Sequence, residues 1–88
     1  MNTNRLQRIV KGFANHRRIE IMELLSHKSG LSLNEISGDL KVNIKTISEH
    51  TRRLTSAGLI AKKYKGAKVE HSLTTRGMDI LKFLRILE

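Results

Sequence analysis

The sequence predicts a mainly α-helical domain that carries one small β-hairpin. Five segments repeat apolar residues at the three- and four-residue spacing of an amphipathic helix, and residues 59–73 alternate as paired strands do. The chain contains no proline, which suits helices, and it has too few aromatic residues to stack single-stranded bases. Its 88 residues are enough for one domain, residues 1–88, with a modest core.

The first two predicted helices are separated by Asn15, which is a suitable N-cap for the second helix. The first helix spans residues 3–14 and has one apolar stripe, formed by Leu6, Ile9, Val10 and Phe13. The second helix spans residues 16–27. Its apolar arc is wide, so we expect it to be buried on much of its surface.

The third and fourth predicted helices are joined by a tight turn. Ser32 and Glu35 match the capping box at the start of the third helix, residues 33–40. Asn43 is a suitable N-cap for the fourth helix, residues 44–57. Three residues spaced by four and three are expected to face the core from the fourth helix: Ile47, Thr51 and Leu54.

A β-hairpin follows the fourth helix. Residues 59–65 and 69–73 alternate as two strands, and Gly66 and Ala67 are typical of the turn between them. Residues 31–32 can pair briefly as a further strand. The predicted order of elements is therefore α-α-β-α-α-β-β-α.

The last predicted helix begins after Thr74 or Thr75, either of which can cap it, and runs to the C-terminus. It is apolar on more than one face. Together with the first helix, it is expected to form the interface of a homodimer, with a monomer as the alternative. The residues expected at that interface are Leu6, Ile9, Val10, Phe13, Ile80, Phe83, Leu84 and Leu87.

Positive charge is concentrated in one part of the chain. The sequence has 17 Lys and Arg against 8 Asp and Glu, a net charge of +9. Residues 41–68 hold eight basic residues and one acid, which is +7 of that total. A solvated surface does not need its charge in one segment, so a polyanion such as nucleic acid is the expected partner.

Composition also restricts the cellular location of the protein and the kinds of chemical site that it can form. The chain has no cysteine, which excludes disulfides and thiolate metal sites and fits a reducing compartment. Basic residues interrupt the early apolar runs, so neither a secretory signal nor a membrane span is expected. We therefore expect a cytoplasmic, nucleoid-associated protein that has no membrane partner.

The third and fourth helices together are typical of a helix-turn-helix, in which the second helix reads the major groove of DNA. With Ile47, Thr51 and Leu54 inward, the outward residues are long or hydrogen-bonding, as contact with base edges requires. The outward residues are Asn43, Lys45, Thr46, Ser48, Glu49, Arg52 and Arg53. The hairpin then supplies a second basic contact, at Lys62, Lys63, Lys65, Gly66 and Lys68.

Residues 42–50 and 54–60 resemble the signature of the ArsR-like winged helix-turn-helix regulators. That signature has a serine and a histidine two apart in the recognition helix and an A-G-L turn into the wing, which correspond here to Ser48, His50, Ala57, Gly58 and Leu59. Residues 71–74 resemble the motif that closes the wing, and residues 75–77 resemble the start of the last helix, which MarR-like repressors share. The resemblance covers about residues 13–81.

The resemblance implies a winged helix-turn-helix repressor whose fourth helix lies in the major groove, while the hairpin reaches the backbone or the minor groove. Thr51 and His71 depart from the usual leucine and tyrosine of the family without breaking its pattern. Metal-sensing members carry cysteines in the third helix or histidine and acid pairs in the last. Neither set is present here, so no metal and no cofactor is expected.

Several residues of the fourth helix have a second interpretation. Lys45, Glu49 and Arg53 are spaced by four and can form ion pairs within the helix, and this is favoured over a contact of Glu49 with cytosine. Arg52 and Arg53 are expected to contact the DNA backbone rather than bases. His50 is expected to be packed or to face a phosphate.

Other function classes are also open to test. Residues 48–50 contain the residue types of a hydrolase triad, but consecutive helical positions diverge by about 100°, so no enzyme is expected. The alternatives to a sequence-specific regulator are a non-specific, chromatin-like DNA-binding protein and a winged helix that docks RNA or protein.

Overall fold

The computed structural model describes all 88 residues. Five helices and one two-stranded antiparallel sheet form the fold. In chain order they are α1 (Thr3–Phe13), α2 (His16–His27), α3 (Leu33–Leu40), α4 (Ile44–Ser56), β1 (Ile60–Lys65), β2 (Lys68–Leu73) and α5 (Thr75–Ile86). The predicted fold class and order of elements are confirmed. The predicted bounds differ by a residue or two where Ala14 and Ala57 cap their helices instead of continuing them.

Side-chain caps fix where the helices begin. The Asn15 side chain accepts hydrogen bonds from the first turn of α2, and Asn43 accepts one from Lys45 N at 2.7 Å. At α3 the complete capping box is present, because Glu35 N donates to Ser32 Oγ and Ser32 N donates to a Glu35 carboxylate oxygen. Thr74 rather than Thr75 caps α5. Each cap satisfies backbone donors that the first turn of a helix leaves free.

The turn between α3 and α4 is locked by the backbone and by one side chain. Lys41 adopts the left-handed conformation, with φ 55° and ψ 46°. Ser37 Oγ donates to Val42 O at 2.5 Å, and Val42 N donates to Ser37 O at 3.1 Å. These contacts set the angle at which α4 leaves α3.

The hairpin is anchored to the core at its base, and its turn is exposed. Ile60 pairs with Leu73 and Lys65 pairs with Lys68, and Gly66 turns at φ 59°. The short strand predicted at residues 31–32 is present as one bridge between Leu31 and His71. The imidazole of His71 is 1% exposed, and its Nδ1 lies 2.8 Å from Leu31 O.

The core lies where α2, α3 and α4 meet the base of the hairpin and α5. Its ten buried apolar residues are Phe13, Ile21, Met22, Leu25, Ile36, Ile47, Leu54, Leu59, Ile60 and Leu81. Thr51 is buried with them, so the inward face predicted for α4 is confirmed. Burial of α4 on this one side leaves its opposite side exposed.

One residue of the predicted dimer surface belongs to the core instead. Phe13 is only 8% exposed, because the end of α1 turns its aromatic ring into the domain. Ile9, Ile80 and Leu84 are half-buried against the core. Four of the predicted residues remain open to solvent: Leu6, Val10, Phe83 and Leu87. No helix of the fold is long and apolar enough to cross a membrane.

Candidate nucleic-acid interface

The exposed side of α4 carries every residue that was predicted to face outward. All seven, from Asn43 to Arg53, are exposed, whereas Ile47 and Leu54 have no exposed surface. Asn43 differs from the rest because its side-chain oxygen is engaged in the cap. α4 therefore presents a polar and cationic face whose orientation is fixed by the core behind it.

Glu49 is held between two arginines on this face. Its carboxylate accepts from Arg52 Nη2 at 2.7 Å and Nε at 3.3 Å, and from Arg53 Nε at 3.2 Å. The hydrogen bonds of Arg52, followed by those of Arg53, lower the pKa of Glu49. The expected pair with Arg53 is thus present, while Lys45, four residues before Glu49, forms no ion pair.

Charge on the hairpin falls into two groups. Lys62 and Lys63 are exposed and form no ion pair. Lys65 lies 3.9 Å from Glu70, and Lys68 lies 3.0 Å from Glu35 on α3. Of the predicted wing lysines, Lys62 and Lys63 are therefore the most available to a phosphate, and Lys68 also ties the hairpin to α3.

Glu35 receives the Lys68 contact while it closes the capping box. Its Oε1 accepts from Ser32 N at 2.9 Å and lies 3.0 Å from Lys68 Nζ. These contacts, the backbone hydrogen bond first, lower the pKa of Glu35 to about 2. The carboxylate therefore stays ionised in mild acid, where an ordinary glutamate would be protonated.

Tyr64 is a surface residue that the sequence did not mark as part of the site. It pairs with Val69 across the hairpin and is 74% exposed. Its position in the strand has the same phase as buried Ile60, but β1 extends beyond the core, so nothing covers the ring. The alternation of the strand does not show how far it extends beyond the core, so the exposure of Tyr64 could not be predicted from the sequence.

His50 is packed, which was one of its two expected roles. Its Nδ1 accepts a hydrogen bond from Arg18 Nε at 3.2 Å, and the ring is half-buried. Burial, followed by the positive charge of Arg18, lowers the pKa of His50. The ring therefore joins the middle of α4 to the start of α2.

The fold also collects cations that are scattered in the sequence. Arg8 and Lys11 of α1 and Arg18 of α2 stand beside Arg52 and Arg53 of α4 around one cleft. The residues outside 41–68 are nearly balanced in charge along the chain, so composition gave no sign of this cluster. It arises because α1 packs against the C-terminal end of α4.

A helix-turn-helix followed by a basic hairpin defines a winged helix-turn-helix protein, and comparison with known families agrees. The profile of the winged helix-turn-helix DNA-binding family matches residues 15–61, from the cap of α2 to the first residues of β1. The chain belongs to this family. The family is described as DNA-binding. Comparison with curated proteins gives no significant match.

Solved structures share the whole fold. The chain is similar to HlyU from Vibrio cholerae, with 26% identity over 98% of this chain and 94% of that one and a TM-score of 0.83. It is also similar to the transcriptional regulator HlyU from Vibrio vulnificus, with 25% identity, 98% and 90% coverage and a TM-score of 0.78.

A third similar structure is a winged helix-turn-helix DNA-binding domain from Mycobacterium bovis, described as homodimeric and as a possible ArsR-family regulator. It shares 22% identity over 97% of this chain and 79% of that one, with a TM-score of 0.85. At this identity it supports the fold alone.

Proposed function

We propose that this protein is a sequence-specific regulator of transcription that binds double-stranded DNA with α4 in the major groove. The observation that carries the proposal is the exposed face of α4, which presents long polar and cationic side chains opposite its buried stripe. A helix fits the major groove of B-form DNA, where base pairs can be told apart. Membership of a DNA-binding family supports the same conclusion.

The first turns of α4 would read bases. Lys45 and Thr46 are exposed, and neither side chain has a partner within the chain, so both are free to hydrogen-bond base edges. Arg52 and Arg53 lie further along the helix and share Glu49. Their bonds to Glu49 would be exchanged for bonds to backbone phosphates, which position the helix without reading sequence.

The hairpin would hold the DNA backbone or enter the minor groove beside α4. Lys62 and Lys63 carry unpaired charges, and Gly66 lets the tip turn tightly. Lysine acts on phosphates as a point charge, so contacts at the tip would add affinity with little sequence preference.

We also propose that the protein acts as a homodimer. Leu6 and Val10 of α1, Phe83 of α5 and Leu87, the C-cap of α5, are between 41% and 65% exposed. A second copy on this surface would bury them. The Mycobacterium bovis domain of similar fold is described as homodimeric, which supports a dimer. A twofold dimer would bind a roughly palindromic site, and occupancy of that site in the cytoplasm would repress transcription.

A titration of labelled duplexes tests this function. Fluorescence anisotropy would compare a random-sequence DNA duplex with an RNA duplex of equal length at two salt concentrations. We expect micromolar or tighter binding to DNA, weaker binding to RNA because the A-form major groove excludes a helix, and a steep loss of affinity with salt. Absence of binding to DNA at about 50 mM salt would contradict the proposal, because non-specific DNA binding is strong at low salt.

Two further results separate the alternatives. Selection from a random DNA pool that yields no preferred sequence would favour a chromatin-like protein over a regulator. Sedimentation at micromolar concentration that finds only the 10.0 kDa chain would contradict the homodimer.

A further inference from the structure

α1 and the end of α4 approach each other closely at Gly12 and Ala57. A Cβ atom at Gly12 would collide with Cβ of Ala57, so the two helices can meet this closely only because position 12 is glycine. Long side chains stand on both sides of the contact. They enclose a cleft whose floor is this glycine–alanine contact.

Five of the eight residues that line the cleft are cations, four of them arginines, and we call it the arginine cleft. Its volume is about 300 Å³. Its lining residues are Arg8, Lys11, Gly12, Arg18, Arg52, Arg53, Ser56 and Ala57. A second space of about 300 Å³ adjoins it across Arg8, and Arg5 and Arg76 line that space. No acidic residue lines either space.

Little negative charge within the chain offsets these cations. Arg8, Lys11 and Arg18 form no ion pair, and neither do Arg5 and Arg76. The one nearby carboxylate, Glu49, is shared by Arg52 and Arg53. Burial and then the charge of Arg53 lower the pKa of Arg18, as expected where like charges are held together.

Part of the cleft is held in place before any ligand arrives. Arg18 Nη1 donates to Lys11 O at 2.8 Å and to Gly12 O at 3.2 Å, while its Nε donates to His50 Nδ1. In the adjoining space, Arg76 Nη1 donates to Ala57 O at 3.0 Å. Because Nε and Nη1 of Arg18 are engaged in this way, its Nη2 remains to donate to a ligand, and a charge-assisted hydrogen bond to a phosphate oxygen is a strong one.

We propose that the arginine cleft binds a phosphate group. Several cations around one space of this size suit a multiply charged oxyanion better than a carboxylate. The phosphate can come from the DNA backbone or from a free phosphorylated molecule, and both sources present the same oxyanion. The backbone source rests on the proposed function, whereas the free source does not.

The position of the cleft favours the backbone. Arg52, Arg53 and Ser56 continue the exposed face of α4 beyond Glu49 and also line the cleft. When α4 occupies the major groove, the strand at the edge of that groove would therefore pass the cleft. The DNA-binding surface would then extend from the hairpin across α4 to α1.

A double variant of the two exposed cations of α1, Arg8→Gln with Lys11→Gln, tests the site. Neither side chain forms a hydrogen bond within the chain, so the fold should be retained. Lys28→Gln with Lys82→Gln is the charge-matched control, because both residues are exposed and lie outside the cleft, and the ion pair of Lys28 with Asp39 that it removes is exposed and contributes little to stability. Circular dichroism melting would confirm that both double variants fold.

The first arm uses inorganic tripolyphosphate, titrated calorimetrically at low salt. We expect the cleft variant to bind it on the order of tenfold more weakly than the wild type, as the loss of charge-assisted hydrogen bonds implies, while the control changes little. This arm does not depend on DNA binding, so it remains informative if the proposed function fails.

The second arm uses the preferred DNA duplex, with one phosphate at a time replaced by a neutral methylphosphonate. We expect the salt dependence of the cleft variant to be lower by about one to two units per protomer than that of the control. At least one replacement should weaken the wild type but not the cleft variant, which would identify the backbone as the source.

Loss of tripolyphosphate binding with unchanged DNA binding would support the site and assign it to a free phosphorylated ligand. Equal behaviour of the cleft variant and the control in both arms would overturn the proposal.

Discussion

Lys68 on the hairpin and Glu35 on the first turn of α3 form a contact of 3.0 Å between Nζ and Oε1. The same carboxylate oxygen closes the capping box of α3 through Ser32 N. One side chain therefore both starts the first helix of the helix-turn-helix and fixes the hairpin beside it. The position of the hairpin beside the helix-turn-helix, on which the proposed groove binding depends, is partly set by this contact.

The Glu35 contact predicts a loss of stability in acid. The pKa of Glu35 is lowered from 4.5 to about 2, so its contribution is complete above pH 4.5 and is lost as the pH falls toward 2. The melting temperature of the wild type should fall over this interval. Glu35→Gln should show a smaller fall there, and Glu88→Gln, which removes a carboxylate from the C-terminus, is the control. Equal slopes for all three proteins would contradict the role given to Glu35.

The two classes of hairpin lysine predict different salt dependences. Lys63 has no partner in the chain, so Lys63→Gln should reduce the slope of log affinity against log salt by about one unit per protomer. Lys68 is already neutralised by Glu35, so Lys68→Gln should reduce the slope less and should instead make the hairpin more mobile. Anisotropy titrations over a salt series measure the slopes, and amide relaxation of residues 62–70 measures the mobility. If Lys63→Gln and Lys68→Gln reduce the slope equally, the division of the hairpin lysines into unpaired and paired groups is contradicted.

Glu49 restrains Arg52 and Arg53, which we propose bind backbone phosphates, and this predicts a gain of affinity when Glu49 is replaced. Glu49→Gln should free Arg52 and Arg53, tighten binding to random-sequence DNA and reduce the preference for the selected site. Glu23→Gln is the control, since it frees Arg85 and changes the net charge equally on another face. If Glu49→Gln and Glu23→Gln gain DNA affinity equally, the gain comes from the change in net charge and not from the release of Arg52 and Arg53.

Lys41 predicts a stability effect at the turn between α3 and α4. A non-glycine residue in the left-handed region carries roughly 1 kcal/mol of strain, and a β-branched residue is worse there. Lys41→Gly should therefore be at least as stable as the wild type, although glycine usually costs entropy, and Lys41→Val should be less stable by about 1 kcal/mol or more. Urea denaturation measures both. If Lys41→Gly is less stable than the wild type, relief of backbone strain at residue 41 does not stabilise the turn.

Gly12 predicts a reversal of the usual helix preference. Glycine to alanine in a helix normally stabilises by about 1 kcal/mol, but at position 12 the new methyl group would collide with Ala57 and should cost about 1–3 kcal/mol. Ala57→Gly should restore part of that loss in the double variant. Thermal unfolding of the four proteins in this cycle measures the coupling, and additive effects would contradict the close approach of α1 and α4.

The fold and most of the local structure could be predicted from the sequence because the signals are local. Asn15, Ser32, Asn43 and Thr74 mark helix starts by their side-chain chemistry, and the alternation of residues 59–73 marks the hairpin. The left-handed Lys41 carries no such signal, because lysine does not favour that conformation. It is imposed by the turn that joins two packed helices.

The parts that escaped prediction depend on which elements meet. The apolar stripe of α1 does not reveal that Phe13 turns into the core while Val10 stays exposed. The arginine cleft combines residues from α1, α2 and α4, which are far apart in the chain. The partner of Lys68 is Glu35, which is 33 positions away in the sequence. Periodicity reports only on residues of one helix or strand, so it gives no sign of this contact.

The most direct test of the account is whether Lys45 at the start of α4 reads sequence. Affinities of the wild type, Lys45→Ala and Lys63→Gln would be measured for the duplex selected from a random pool and for the same duplex scrambled. We predict that Lys45→Ala lowers the ratio of the two affinities, with a loss of about 1–3 kcal/mol of discrimination, and that Lys63→Gln weakens both duplexes equally. If Lys45→Ala leaves the ratio unchanged while Lys63→Gln alters it, α4 is not the reading element and the account is contradicted.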